Sequence, residues 1–497
     1  MKSLGILLVL VGTIVGALGQ TNAPGVRKLS LEDCIQSALE KNLDLRIARY
    51  NPPMALSDLQ NAYAGYDPSL TISGQHNYQM SGGGQYAVGI PVPPTVSDAN
   101  SFNGSLANGL MPTGLKYQLS GSASEVYGNP GPFDFASGSA NIALTQPLLK
   151  NFWIDSTRFN IKVAKNRVKY SELQLKQSIM STITTVEQAY YDLIYDRENI
   201  TVQEKAVELA IQLVVENKKR VEVGALAPLD ELQAESQAAT SQAALIAARS
   251  ALAVQANTLK QLITDDYGTW QPVDLEPTAP LKAPVQVFDR QNSWSRGLTQ
   301  RPDLLEAKLD VERQGITIKF NYNQLYPELD IVGGYGHGAS GQGISEFSQA
   351  LGQLAEGSRP NYYYGGQLTF PIGNINARTT YKKSKLAMEQ LVLTLKKLEQ
   401  TIMTTIDSDI QQAQSSYQQV AATRAAREYA AAALDAEQKK LESGKSTTYT
   451  VLQMQRDLTT ARGNEIQALD NYNKALSQLS LDEGSTLQRL GINVEVK

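Results

Sequence analysis

Two stretches of the chain, residues 150–223 and 375–443, contain neither glycine nor proline. In the first, apolar positions recur at alternating steps of three and four: Ile179, Ile183, Val186, Tyr190, Leu193, then Ile200, Val207, Ile211, Val214 and Val221. That spacing is the seam of a coiled coil. At about 1.5 Å per residue, an uninterrupted helix through either stretch is on the order of 100 Å long, which suits no compact domain. The surfaces beside the seam are polar without being mainly charged: Gln411, Gln412, Gln414, Ser415, Ser416, Gln418 and Gln419 leave only Ala413 and Tyr417 for burial between Ile410 and Val420. A narrow seam between wet faces predicts a thin wall with water on both sides. Each long helix ends at a glycine, Gly224 or Gly444, and a second helix returns. Pro228 fits the first turn of one return. Each half of the chain therefore predicts a helical hairpin with a tip.

The pattern changes elsewhere to period two. Leu70, Ile72, Gly74, His76, Tyr78 and Met80 alternate with Thr71, Ser73, Gln75, Asn77 and Gln79, and Ala140, Ile142 and Leu144 alternate with polar or small neighbours. The second half repeats this through Leu329, Ile331, Gly333 and Tyr335, then Tyr364, Gly366, Leu368 and Phe370. Such segments are strands with one polar face. The stretch from Leu115 to Gln146 reads as a strand interrupted near Gly128 to Pro132, and residues 81–112 and 338–360 read as loops rich in Gly, Pro and Ser.

The two halves also resemble each other residue by residue. Leu39, Asp44-Leu45, Ala48, Pro68 and Leu70 lie in one gapless register with Leu298, Asp303-Leu304, Ala307, Pro327 and Leu329. Gln177 to Ile183 reads like Gln400 to Ile406, and Gly224 with Leu232-Gln233 like Gly444 with Leu452-Gln453. This predicts an internal duplication of a large unit: 1–19 as a signal peptide, 20–267 as the first repeat, 268–290 as a Pro-rich linker, 291–490 as the second repeat and 491–497 as a tail.

Lys2, the apolar run from Leu4 to Leu18 and the small residues before Gln20 have the form of a secretion signal. Nothing downstream has the 18 or so consecutive apolar residues of a membrane helix, so a bilayer must be crossed by strands. Cys34 is the only cysteine; it lies among Leu31, Ile35 and Leu39, where a small buried residue is expected rather than a lipid anchor. The formal net charge of -4 gives no reason to expect nucleic acid. His76 and His337 fall in predicted strands and form no metal cluster with a lone cysteine, and no phosphate-binding loop is present. The carboxylates are explained by solvated helix faces, and neither an enzyme activity nor a cofactor is expected.

Four strands cannot close a membrane barrel, whose smallest members have eight, and an open edge is costly in lipid. Two chains would supply eight strands and three would supply twelve; only the second leaves room for water, so a homotrimer is expected.

In order, the segments Leu29-Ser30-Leu31 through Asp44-Leu45, Gly224 through Glu235, Arg301-Pro302-Asp303-Leu304 and Leu368-Thr369-Phe370-Pro371-Ile372 resemble the TolC-like outer-membrane efflux family. The resemblance implies a mainly α protein with membrane β: a trimeric 12-stranded β-barrel, four strands per protomer, continued by a long periplasmic α-helical coiled-coil barrel. It implies an exit duct in the cell outer membrane, serving efflux of small molecules or type I protein secretion, with a periplasmic adaptor and an inner-membrane transporter as partners. By the family pattern the adaptor docks at the tips, Val223, Gly224, Ala225, Leu226 and Ser443, Gly444, Lys445, Ser446. Where relatives place constriction carboxylates, six and nine positions past the second tip glycine, this chain has Thr450 and Gln453, so an acidic ring does not follow. Asp230 holds the corresponding place after the first tip; the resemblance suggests a bond that keeps the tip closed, and a helix N-terminal carboxylate is the plainer alternative. A periplasmic coiled-coil adaptor or scaffold without a pore is the rival reading, and an exported adhesin or filament a third.

Overall fold

A computed structural model describes residues 25–85, 91–92, 94–111, 113–129, 134–340, 344–357 and 359–492; the signal peptide expected at 1–19 and most of the tail lie outside them. In chain order the principal elements are β1 (Arg27–Leu29), α1 (Leu31–Lys41), β2 (Ser69–Ser81), β3 (Thr95–Leu110), β4 (Lys116–Asn129), β5 (Phe135–Pro147), α2 (Ser156–Glu222), α3 (Pro228–Ile263), β6 (Leu275–Pro277), α4 (Arg290–Gln300), α5 (Pro302–Asn323), β7 (Glu328–Ala339), α6 (Phe347–Glu356), β8 (Pro360–Thr369), α7 (Ile375–Glu442) and α8 (Thr448–Asp482). The long helices α2 and α7 have 67 and 68 residues, and their returns α3 and α8 have 36 and 35. No described helix is apolar enough over sufficient length to cross a membrane.

The residues fall into two compact units that interleave both halves of the sequence. The described residues of one lie at 25–43, 182–286 and 411–478. Here β1 pairs in parallel with β6. Helix α1 starts at a capping box in which Ser30 accepts from the Asp33 N–H at 3.1 Å and the Asp33 carboxylate accepts from the Ser30 N–H at 3.0 Å. Its inner face carries Cys34, Ile35 and Ala38; Cys34 is fully buried, as its neighbours predict, and burial pushes its thiol up to about 12. Tyr190 is enclosed with its hydroxyl donating to the Leu29 carbonyl at 3.1 Å, and the Tyr472 hydroxyl donates to the Pro284 carbonyl at 2.6 Å. Each ring thus buries its apolar body while its polar end ties a non-helical segment to a helix of a hairpin, Leu29 to α2 and Pro284 to α8.

The seam of α2 follows the expected line from Ile183 through Leu193 and then departs from it. Val207 is buried as expected, but the other buried positions here are Val202, Ala210, Leu213 and Asn217, whereas the expected Ile211 is exposed. A straight helix has 3.6 residues per turn, so a strict 3.5 repeat drifts off the contact line.

The second unit comprises residues 44–181, 287–410 and 479–497 and contains one fully antiparallel six-stranded sheet in the order β8-β7-β5-β4-β3-β2. Six strands replace the expected four, and this corrects the strand count of twelve per three chains. Residues expected to be loop form β3, which pairs with β2 from Ser69–Ala107 to Ser81–Thr95 and with β4 on its other side. The expected interruption near Gly128 to Pro132 separates β4 from β5, and residues 130–133 there lie outside the described set. The loop expected at 338–360 includes α6. With six strands per chain, two copies already supply twelve, so the barrel count alone no longer selects three.

Register assigns the faces. Leu70, Leu106, Leu119, Ile142, Tyr335 and Tyr362 stand side by side across all six strands. The opposite face carries Thr71, Ser105, Ser120, Asn141, Gly336 and Asn361 in one row, and Ser73, Asn103, Ser122 and Ser139 in another. Serine hydroxyls bridge strands there, Ser122 to Ser139 at 2.8 Å and Ser124 to Ser137 at 2.7 Å. On the apolar face α6 packs Ala350 and Leu354 against Ala136, Ala339 and Ile344. A Cβ on Gly138 would come within 2.8 Å of Leu354 Cδ1, so the tip of that leucine rests directly over the glycine.

The helical part of this unit is built around Leu304, Ile402, Ile406, Ile410 and Leu479, with Trp294 and Leu298 packed alongside. At its edge Arg301 binds Asp303 at 2.7 Å and Asp482 at 3.0 Å. Asp409 faces the same Asp482 carboxylate; burial, then the repulsion of Asp482, pushes its acid up to about 7.

Candidate functional site

The hairpin tips bring together the residues that the sequence singles out. At the first, α2 is closed by a Schellman motif: the Gly224 N–H donates to the Val221 carbonyl at 2.9 Å and the Ala225 N–H to the Arg220 carbonyl at 2.7 Å. At the second, Gly444 donates to Leu441 at 3.1 Å and Lys445 to Lys440 at 2.8 Å. Both glycines have φ of +72°, and an added Cβ at either would meet nothing within 4 Å. Backbone conformation, not crowding, requires glycine at both tips.

The returning helices are capped at the third residue of their first turns. The Asp230 carboxylate accepts from the Ala227 N–H at 3.3 Å. Thr447 accepts from the Thr450 N–H at 3.3 Å, and the two threonine hydroxyls share a hydrogen bond at 2.9 Å. Asp230 therefore occupies the helix N-terminus of its own chain, where a negative charge is favoured. Gln453 is exposed one turn further along α8.

Asn217 and Arg220 hold the two hairpins to each other. Asn217 is fully buried; its amide donates to the Asp230 carbonyl at 3.1 Å and its oxygen accepts from the Thr448 hydroxyl at 3.5 Å. Arg220 donates to the Leu441 carbonyl at 3.3 Å. Behind them Leu213, Leu434, Leu441, Val451, Leu452 and Leu458 form an apolar cluster. The sequence pattern does not single out Asn217, because its seam runs through Ile211 and Val214, whereas the buried line runs through Leu213 and Asn217.

The tips differ chemically. Val223 is 79% exposed, and Leu229 and Leu232 are each 62% exposed. The second tip offers Ser443, Lys445 and Tyr449 instead, and the Ser446 hydroxyl donates to Glu437 at 2.5 Å. The hydrogen bond from Lys440, and then the one from Ser446, hold the Glu437 acid below its ordinary range. The whole arrangement offers protein-binding chemistry: apolar side chains in water at one tip, a cation and hydroxyls at the other, with Asp230 committed to its cap.

The sequence pattern of the outer membrane efflux proteins matches residues 34–264 and 294–481. The chain belongs to the outer membrane efflux protein family. Over 379 residues it is 24% identical to the outer membrane efflux protein BepC of Brucella suis, covering 76% of this chain and 79% of that one. Its fold is similar to that of the CmeC outer membrane channel of Campylobacter jejuni, with a TM-score of 0.66 at 16% identity over 93% of this chain and 88% of the other. The outer membrane protein VceC of Vibrio cholerae gives 0.66 at 16% identity, over 94% and 97%. This efflux protein has the barrel-plus-helical-tunnel fold class of the TolC-like channels, resides in the outer membrane with its helical part in the periplasm, and is not an enzyme.

Proposed function

We propose that three copies of this efflux protein form a continuous exit duct for small molecules or proteins, driven by an inner-membrane transporter and joined to it by a periplasmic adaptor at the hairpin tips. The sheet carries this reading. One face has exposed Leu70, Ile142, Tyr335 and Tyr362, the other has rows of Ser, Thr and Asn, and neither edge strand has a partner on its outer side among the described residues. A wall wet on one side and apolar on the other separates lipid from a water-filled path. An adaptor confined to the periplasm would have no use for it.

Three copies bring six hairpins to one ring. The matched lengths of the hairpins and the two capped tips support descent of the halves from a duplicated unit. Exposed Val223, Leu229 and Leu232 support the first tip as a docking surface, with Ser443, Gly444, Lys445 and Ser446 beside it. Thr450 and Gln453 make the constriction uncharged at those positions, and Asp230 contributes by holding the turn in shape.

Photocrosslinkers at Val223 and Ser443, in cells expressing a candidate adaptor, test the docking. Adducts with an adaptor, from a protein whose detergent-solubilised mass equals three chains, are the expected outcome. A one-chain mass, or adducts from mid-helix control sites only, refutes it.

A further inference from the structure

We propose that the free edge of β8 pairs antiparallel with the free edge of β2 in the next copy, so that three six-stranded sheets close a barrel of eighteen strands around a lumen whose middle is uncharged. This rests on the three-copy duct proposed above, and concerns what that duct is made of. The inserted β3–β4 hairpin is part of the wall. Its turn lies between Leu110 and Lys116, which pair with each other, and Lys116 pairs with Thr145 near the end of β5, while Ala107 pairs with Ser69 at the start of β2. The hairpin therefore runs the full height of the sheet. With 16 and 14 residues, β3 and β4 exceed the roughly 9–11 that a tilted membrane strand needs.

The edges suit each other in length, direction and chemistry. β2 has 13 residues and β8 has 10, both enough to span. An even number of alternating strands makes β8 of one copy antiparallel to β2 of its neighbour. Sheet edges that must stay unpaired usually carry lysine, other charges or an interior proline. Neither SLTISGQHNYQMS nor PNYYYGGQLT holds a charged side chain, and the one proline is at the start of its strand. All positions of both strands are exposed in the single chain.

Face alternation restricts the register. Leu70, Ile72 and Tyr78 share the apolar face with Tyr362, Tyr364 and Leu368, so even positions must oppose even positions across the junction. Leu70 opposite Leu368, for example, would set Thr71 opposite Gln367 inside.

The strand number determines the width. At a spacing of about 4.8 Å and a tilt near 40°, eighteen strands give a backbone diameter of roughly 36 Å, against roughly 24 Å for twelve. With about 5 Å of side chain on each wall, the open width is roughly 26 Å instead of 14 Å. Around the middle it is lined by Thr71, Ser105, Ser120, Asn141 and Asn361, and the inward-facing charges Lys116, Glu328 and Asp330 stand in rows toward the β5 terminus. Such a lumen admits bulky solutes of either charge.

Cryo-electron microscopy of the full protein in lipid nanodiscs counts the strands, and disulfide pairing in a Cys34→Ala background checks the junction. Three chains with eighteen strands are expected. A ladder ending in a covalent trimer is expected for Thr71→Cys combined with one of Tyr363→Cys, Gly365→Cys or Gln367→Cys, and no ladder for Ile72→Cys with the same three. A three-chain ring of twelve strands, with residues 95–129 outside the membrane, overturns this inference and leaves the duct intact. So does a trimer in which none of the Thr71→Cys pairs links. Particles of one or two chains overturn the three-copy duct itself.

Discussion

Replacing Gly444 by valine should loosen one tip while leaving the hairpin behind it folded. The glycine has φ of +72° and open space where a Cβ would point, so the penalty is confined to the backbone. A left-handed conformation costs an L-residue about 1–2 kcal/mol, and a branched Cβ raises that figure. The chain can relieve the strain by releasing the Gly444 and Lys445 amides from Leu441 and Lys440, two hydrogen bonds of about 0.5–1.5 kcal/mol each. The two quantities are comparable, so the closed turn should lose a factor of about 5–30 against its frayed form. Leu441, Val451 and Leu452 pack in the cluster behind the tip and do not sense the change. Hydrogen exchange read by mass spectrometry should show amides 444–445 exchanging about 5–30-fold faster, with protection around Leu434 and Leu458 unchanged. Gly444→Asn, which tolerates this conformation, should show much less. Dye efflux at equal surface abundance should fall in the valine variant and be retained in the asparagine one. Unchanged exchange would refute the strain argument, and faster exchange with undiminished efflux would refute the role of the tip in docking.

Asn217→Leu removes the buried donor to the Asp230 carbonyl and should destabilise the first turn of α3 by about 1–3 kcal/mol, seen as faster amide exchange at residues 228–233; unaltered exchange would show that this link is dispensable. Tyr472→Phe should speed proteolysis of residues 280–286 by about 2- to 12-fold, the equivalent of a hydrogen bond of 0.5–1.5 kcal/mol, whereas an unchanged rate would place the holding force in packing alone. The raised acid of Asp409 means that the native state holds this proton more tightly than the unfolded chain does, so stability is lost as pH rises from about 4 towards 7. Asp409→Asn should therefore slow exchange in α7 around residue 409 at pH 8, by roughly 1–2 kcal/mol after allowance for partial exposure, and bring no gain near pH 4. A gain of equal size at both values would assign the effect to something other than titration.

The long helices were legible because glycine and proline are absent from 150–223 and 375–443, and the observed ends at Glu222 and Glu442 lie just before the glycines that stop them. The strands with strong alternation, β2 and β7, were legible for the same kind of reason. β3 was not: its apolar face is interrupted by Asp98, Asn100 and Gly104 and its other face is Ser, Asn and Ala, so TVSDANSFNGSLANGL has the composition of a loop. Only pairing on both sides, to β2 and β4, makes it a strand, and pairing partners are a tertiary property. Helix α6 is likewise decided by the small residues it meets, Ala136, Gly138 and Ala339, rather than by its own ten positions. At the tips the glycine turns could be read from spacing, but the contribution of Asn217 could not, because a lone polar residue on a seam gives no hint of what it will bond.

The central claim, a water-filled path through the outer membrane, is tested most directly by planar-bilayer recording on the purified oligomer. Discrete conductance steps are predicted, with larger steps for Asp230→Ala, which removes the carboxylate that caps the first tip. A protein that inserts into the bilayer as an intact oligomer yet passes no ions at any voltage, as wild type or with either tip altered, would contradict the account.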